Sequence, residues 1–367
     1  MNGIAYVDLS AQWRDEREKL LPLIESTLES GQYVGSNEVE SLEKEIERAV
    51  GVDYVVAVNS GTDALFFGLV ANGVGSGDEV ITPPNSFVAS TAAIAHLRAK
   101  PVFVDVGSDQ NINPDLIEAA ITRNTKAIMP VHLTGRVSDM KAIQEISDRY
   151  GILVIEDAAQ AAGAFFEDRS SGSWGKVGCF SAHPLKNLNA CGDAGFITTN
   201  DTGIADKIRL MRNHGLVNRD TVEQFGYVSR MDSIQAAILR FRLSTLSGVV
   251  KCRRENVALY RSILNPDVVF HPPDRSVEFN TWHTFVIQVD KRDELREFLA
   301  SRKIETAIHY PVPIHLQPAG KNLGYRRGDF PVTEAQAGRI LSLPIHQYLE
   351  EDQIRFVAET INEFYGS

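Results

Sequence analysis

The chain has 367 residues, 43% of them hydrophobic and 23% charged, a balance that suits a folded globular protein with room for one large domain and a smaller one. Its formal net charge of −11 argues against general affinity for nucleic acid or an anionic membrane surface, while leaving open a locally positive pocket for a small anion. Cys179, Cys191 and Cys252 form no CxxC pair and are odd in number, which argues against a disulfide scaffold. No leader-like segment and no apolar run of membrane-spanning length is visible, so a cytoplasmic location is expected.

Apolar residues recur at helical spacing from Gln12 to Ser30 and again from Asn37 to Val50, the second stretch behind a capping Ser36 or Asn37. Short apolar runs then alternate with helical stretches. Strands are expected at Tyr54 to Val58, Glu79 to Thr82, Pro101 to Val106, Ala127 to Val131, Ile152 to Glu156 and Gly195 to Thr199. Helices are expected between them at Asp63 to Asn72, Ser86 to Arg98 and Asp139 to Tyr150. This alternation predicts an α/β fold with a mostly parallel central sheet covered on both faces. Ligands of such sheets collect at the carboxyl ends of the strands, where Asn59, Pro83 and Asp157 fall.

Beyond Ile204 helical character returns. Met231 to Leu246 carries an apolar stripe, which Val249 to Leu264 extends. Asn265 to Asn280 reads as a loop, followed by a strand from Thr284 to Val289 and helices at Asp293 to Ser301 and Glu351 to Tyr365. The expected division is a large domain over 1–248, which includes the N-terminal helical segment, and a small C-terminal α+β domain over 249–367.

Lys186 is the most informative residue. It lies among the aromatic and aliphatic neighbours of Phe180-Ser181-Ala182-His183-Pro184-Leu185, ahead of Cys191-Gly192-Asp193-Ala194-Gly195, a setting that suits a surface lysine poorly. A desolvated lysine loses its proton more easily and can attack an aldehyde to form a Schiff base. Asp157 closes the apolar run Ile152 to Glu156, and a carboxylate at a strand end can pair with a protonated pyridine nitrogen. Together they point to pyridoxal 5'-phosphate (PLP). The competing reading of Glu156-Asp157 is a pair of helix-capping acids.

Other segments are weaker alone. Asn59-Ser60-Gly61-Thr62 joins a strand to a helix, which makes either an ordinary capped turn or an anion site for a phosphate monoester. Phe87 can stack on a planar heterocycle or sit in the core, and Gln160 can hydrogen-bond a ring oxygen. Ser181 can add a hydroxyl to the phosphate site, and His183 is either a site residue or a packed histidine. The turn-rich His309-Tyr310-Pro311-Val312-Pro313-Ile314-His315 suits a substrate-lining loop or plain structure. Its two histidines have no third partner at metal-ligand spacing, so no metal is expected.

These segments, taken with Gly31-Gln32-Tyr33-Val34-Gly35, Arg212-Asn213-His214-Gly215, Ser229-Arg230-Met231-Asp232 and Leu341-Ser342-Leu343-Pro344, resemble the sugar aminotransferases of the DegT/DnrJ/EryC1/StrS family. These are PLP enzymes of fold type I, and the resemblance covers nearly the whole chain. It implies that Lys186 is the Schiff-base lysine, that Asp157 pairs with the pyridinium nitrogen and that Gln160 touches the ring oxygen. It further implies that Gly61, Thr62 and Ser181 hold the phosphate, that Phe87 stacks on the ring and that His183, His309, Tyr310 and His315 line the substrate. The implied reaction moves an amino group from L-glutamate, released as 2-oxoglutarate, to a keto-sugar, most simply a nucleotide-linked keto-deoxysugar. The implied assembly is a homodimer with shared active sites.

Two departures stand out. Val228 occupies the place of a family asparagine that reaches the neighbouring subunit's phosphate, and Ala194 replaces a common glycine. Substrates that remain open are a free or phosphorylated sugar and an eight-carbon sugar acid, and a PLP-dependent sugar dehydratase is the rival reaction. The dehydratase branch that replaces the lysine with histidine is disfavoured by Lys186, as is a non-catalytic regulator.

Overall fold

A computed structural model describes residues 3–366. Seven strands form the central sheet: β1 (Tyr54–Val58), β2 (Glu79–Thr82), β3 (Lys100–Phe103), β4 (Thr125–Ile128), β5 (Leu153–Asp157), β6 (Val177–Ser181) and β7 (Gly195–Thr199). Their order is β1-β7-β6-β5-β4-β2-β3. Neighbours from β3 through β6 are parallel, whereas β7 runs antiparallel to both β1 and β6. The buried faces of these strands explain their near-continuous apolar character, as sheets covered on both sides require.

Every strand expected from the sequence is present, with ends displaced by a few residues. One central strand, β6, was not anticipated. Its sequence Val177-Gly178-Cys179-Phe180-Ser181 carries a glycine that weakens the strand pattern. The glycine is there for space, since a Cβ on Gly178 would lie 2.3 Å from the Cα of Gly172.

Helices α1 (Leu9–Glu29) and α2 (Asn37–Val50) precede the sheet. The connections carry α3 (Gly61–Ala71), α4 (Val88–His96) and α5 (Met140–Tyr150), and α6 (Thr202–Arg212) follows β7. Apolar side chains of α3, α4 and α6 meet one face of the sheet in a single core that includes Phe67, Leu69, Ile94, Ile155, Ile197 and Ile208. The two helical stretches expected around Gly248 are one continuous helix, α7 (Ser233–Ile263), of 31 residues. Gly248 costs helix propensity, but the ends are held by packing. Leu239 and Leu246 join the core beneath α2, while Val257 and Tyr260 join the C-terminal core.

That second core fills an antiparallel sheet of β8 (Val269–Phe270), β9 (Phe285–Val289) and β10 (Ile340–Leu343), in the order β8-β9-β10. Helices α8 (Arg292–Ser301) and α9 (Glu351–Tyr365) cover it with Leu295, Leu299, Ile354 and Val357. Strand β10, Ile340-Leu341-Ser342-Leu343, is not among the expected strands. Among the described residues no helix is long and apolar enough to cross a membrane.

Candidate active site

A cavity of about 360 Å³ opens at the carboxyl ends of β1, β5 and β6. Ser60, Gly61 and Thr62 follow β1, Asp157 ends β5, and Ser181 ends β6, so one edge of the sheet delivers residues distant in sequence to the same wall. Lys186, His183, Phe87, Gln160, His309 and Tyr310 complete the lining together with Ser90, Asp193 and His283.

The turn between β1 and α3 is built by close approach. Ser60 caps α3, its Oγ accepting the Asp63 N–H at 3.1 Å. A Cβ on Gly61 would lie 2.5 Å from Ser181 Cβ, and one on Gly195 would lie 2.5 Å from the Ser60 carbonyl carbon. Gly195 pairs with both Val58 and Ser181 in the ladder, and the Ser60-Gly61 backbone lies over it so closely that no side chain fits there. The backbone N–H groups of Gly61 and Thr62 have no acceptor among the described residues, and they open the positive end of an 11-residue helix beside the Ser181 hydroxyl. A phosphate monoester fits this donor set.

Asp157 is 4% exposed. Ser90 Oγ donates to its Oδ2 at 2.6 Å and the Ala159 N–H donates to its Oδ1 at 3.2 Å. Burial nevertheless holds the carboxyl above its ordinary range, against the pull of Ser90, Ala159, Lys186 and His132. A buried carboxylate facing a cavity without a fixed cationic partner suits a ligand that brings an N–H cation. Neighbouring Glu156 is fully occupied, accepting from the N–H groups of Gly172, Trp174 and Gly175 at 2.7–2.8 Å and meeting His132 Nε2 at 2.9 Å. It therefore serves the scaffold, and the capping alternative for the Glu156-Asp157 pair does not hold.

Lys186 faces the same cavity. Burial pushes its amine down to about 8, with the Asp157 charge pulling in the opposite direction. A lysine of that basicity has a sizeable neutral fraction near neutral pH, as an amine nucleophile and proton carrier needs.

Gln160 is held at both ends. Its Oε1 accepts the Thr134 N–H at 2.7 Å and its Nε2 donates to Tyr310 Oη at 3.3 Å. Phe87 is 56% exposed, so it belongs to the cavity rather than the core, with its ring centroid 6.1 Å from that of Tyr310. His183 is exposed at the rim, where its Nδ1 accepts the Leu185 N–H at 3.3 Å. His309 Nδ1 lies 2.8 Å from Ser342 Oγ, and burial together with the Lys186 charge lowers its basicity to about 4. It is a neutral imidazole at physiological pH.

His315 is the exception to the expected constellation. It does not line the cavity. It is 2% exposed, pairs with Glu334 Oε1 at 3.0 Å and packs edge-on against Phe330 in a small separate core. The short helical turn Ile314–Leu316 carries it away from the cavity that His309 and Tyr310 face.

Sequence reasoning missed Ser90 and His283. Ser90 sits one helical turn beyond Phe87, so the signal was available once Phe87 was placed at the cavity. His283 carries none, because only the fold brings the end of the 265–284 segment to Lys186. Its imidazole is held well below the ordinary histidine range by burial, with the Lys186 and Arg253 charges next.

A family model for the DegT/DnrJ/EryC1/StrS aminotransferases matches residues 14–362. The chain belongs to that family. A pleiotropic regulatory protein of Geobacillus stearothermophilus is 40% identical, with 99% of each chain covered. A dTDP-3-amino-3,4,6-trideoxy-alpha-D-glucose transaminase of Streptomyces venezuelae is 39% identical, covering 98% of this chain and 96% of the relative. Among solved structures, S. venezuelae DesV superposes with a TM-score of 0.97 at 38% identity, over 100% of both chains. As a member of the DegT/DnrJ/EryC1/StrS family the protein is a PLP-dependent sugar aminotransferase, with the mixed α/β fold of its relatives.

Of the two departures from the family pattern, Ala194 is buried, and its carbonyl accepts the Ala182 N–H at 2.8 Å, a bond indifferent to the extra methyl. Val228 forms a backbone bridge with Asn213 and its side chain is 55% exposed, presenting an isopropyl group where an amide is usual.

Proposed function

We propose that the enzyme transfers the amino group of L-glutamate to a nucleotide-linked keto-deoxysugar, giving an amino sugar for polysaccharide or glycoconjugate synthesis. The observation that carries this reading is the convergence, on one 360 Å³ cavity, of a low-basicity lysine, a buried carboxylate and the open end of α3. The nucleotide-linked sugar is supported by relatives named for dTDP- and UDP-linked substrates, two of them 39% and 37% identical.

In this reading the N–H groups of Gly61 and Thr62 and the Ser181 hydroxyl hold the cofactor's phosphate. Asp157 keeps the ring nitrogen protonated, Gln160 meets the ring oxygen and Phe87 packs on the ring face. PLP supplies an electron sink for the carbanion formed beside the amino group. Lys186 would be the base whose Nζ takes the α-proton of L-glutamate. In the second half-reaction Nζ returns a proton to the sugar carbon that gains nitrogen. His183, His309 and Tyr310 face the sugar. We also propose a cytoplasmic homodimer with shared sites, supported by the apolar side chains Val217, Val222 and Phe225, each at least half exposed, and two units per chain that meet near Gly248 along α7.

The test is a single turnover without sugar. PLP-loaded protein given L-glutamate should release one 2-oxoglutarate per site and lose the visible absorbance of the bound cofactor. Lys186→Ala should retain PLP and release none. Amination of a dTDP- or UDP-linked keto-sugar, and not of a free or phosphorylated sugar, then completes the reading. Release of 2-oxoglutarate by Lys186→Ala at the wild-type rate would sink it.

A further inference from the structure

The segment that presents Lys186 is an excursion between β6 and β7 whose ends are tied by the Ala190 N–H donating to the Ala182 carbonyl at 2.7 Å. Within it the backbone has few bonds of its own, such as the Lys186 N–H to the His183 carbonyl at 2.9 Å. Its shape must come from elsewhere. Asn189, 3% exposed, donates through Nδ2 to the Pro184 carbonyl at 2.7 Å, spanning the lysine from the far side. The same amide exchanges two bonds with Gln12 on α1: Nδ2 to Gln12 Oε1 at 3.1 Å, and Gln12 Nε2 back to Asn189 Oδ1 at 3.0 Å.

This amide pair is anchored in turn. Gln12 Nε2 also donates to Glu16 Oε1 at 3.0 Å, and Glu16 Oε2 receives Arg242 Nε and Nη2 at 2.9 and 2.6 Å. Arg242, on α7, closes the circuit by donating Nη1 to the Asn189 carbonyl at 2.9 Å. Gln12, Glu16, Asn189 and Arg242 are all buried at 8% exposure or less. An ion pair and a double amide pair with so little solvent contact cost desolvation unless every member is bonded. A helix-to-helix contact made only for stability is met more simply with apolar side chains.

We infer that Asn189 is a positioning residue for Lys186, and that α1, through Gln12 and Glu16, holds it in register with α7. The clamp fixes the Pro184 carbonyl, and with it the path of the two residues that lead to the lysine. It thereby keeps the half-buried amine against the cavity wall, where little water reaches it. Loosening the clamp lets water reach the amine, which then recovers the basicity of an ordinary lysine. The inference rests on the role proposed above for Lys186.

The experiment follows capture of pyridoxal, the cofactor without its phosphate, by apoenzyme over a range of pH. The pH midpoint of the capture rate reports the basicity of Lys186, and melting temperature is recorded in parallel. Wild type should show a midpoint near 8. Asn189→Ala should move it up by about one pH unit and weaken PLP binding about tenfold, the scale of one lost buried hydrogen bond. Gln12→Ala should move both in the same direction by less, and if Asn189→Ala does not fold, Gln12→Ala carries the test alone. Leu20→Ala, a buried apolar change on the same face of α1 one turn beyond Glu16, is the control for lost packing without a lost clamp bond. A midpoint unmoved in both clamp variants despite a lower melting temperature overturns the inference, and so does an equal shift in Leu20→Ala. Failure of the underlying assignment is told apart by Lys186→Ala, which would then capture pyridoxal like wild type.

Discussion

Removing the charge of Lys186 should stabilise the apoprotein. The amine falls from an ordinary 10.5 to about 8 on folding, and at about 1.4 kcal/mol per tenfold this is a cost of about 3 kcal/mol carried by the folded state. Water in the open cavity screens part of it, which leaves about 1 to 3 kcal/mol. The folded-state value lies below the unfolded one. Between about pH 8 and 10.5 the unfolded chain therefore binds more protons, and stability rises with pH across that window. Below about pH 8 the whole cost is present. Lys186→Met keeps the volume and removes the charge, so it should raise the melting temperature of the apoprotein by about 1 to 4 °C at pH 7. The gain should shrink to about a quarter of that at pH 10. Paired thermal melts of wild-type and Lys186→Met apoprotein at the two pH values measure this. No gain at pH 7, or the same gain at both, would falsify the claim that lysine desolvation is a strain stored for function.

Three further outcomes are expected. Ser90→Ala removes the 2.6 Å bond to Asp157 and should weaken PLP binding by about 1.5 to 3 kcal/mol, read as a tenfold or greater rise in the cofactor's dissociation constant. Gly61→Ala drives a methyl into Ser181 and should displace the start of α3. It should weaken PLP far more than pyridoxal, and equal losses for both would remove the phosphate from that helix end. His315→Ala breaks the bond of a buried imidazole to the half-buried Glu334 and should cost about 1 to 3 kcal/mol of stability while leaving KM for the sugar unchanged; a raised KM at unchanged stability would return His315 to the substrate wall.

Much of this molecule could be read from its order of residues. The alternation of apolar runs and amphipathic helices suffices for a parallel α/β sheet, because strand and helix periods are local properties of the chain. The setting of Lys186 and the end of the Ile152 to Glu156 run were enough to propose a pyridine cofactor, since a costly buried charge is rarely retained without use. What the order of residues could not show depends on contacts across long separations. Strand β6 was hidden because Gly178 answers to Gly172 rather than to strand propensity. His315 looks like a partner of His309 in a short turn-rich motif, yet a 3₁₀ turn sends it into a different core. His283 becomes a site residue only when the entry to β9 folds back to Lys186. The 177 positions that separate Gln12 from Asn189 along the chain hide a clamp that no motif announces. Sequence alone determined the elements and the kind of chemistry, which are local; tertiary structure decided which buried polar groups meet, because a hydrogen bond is made by position in space and not by position in the chain.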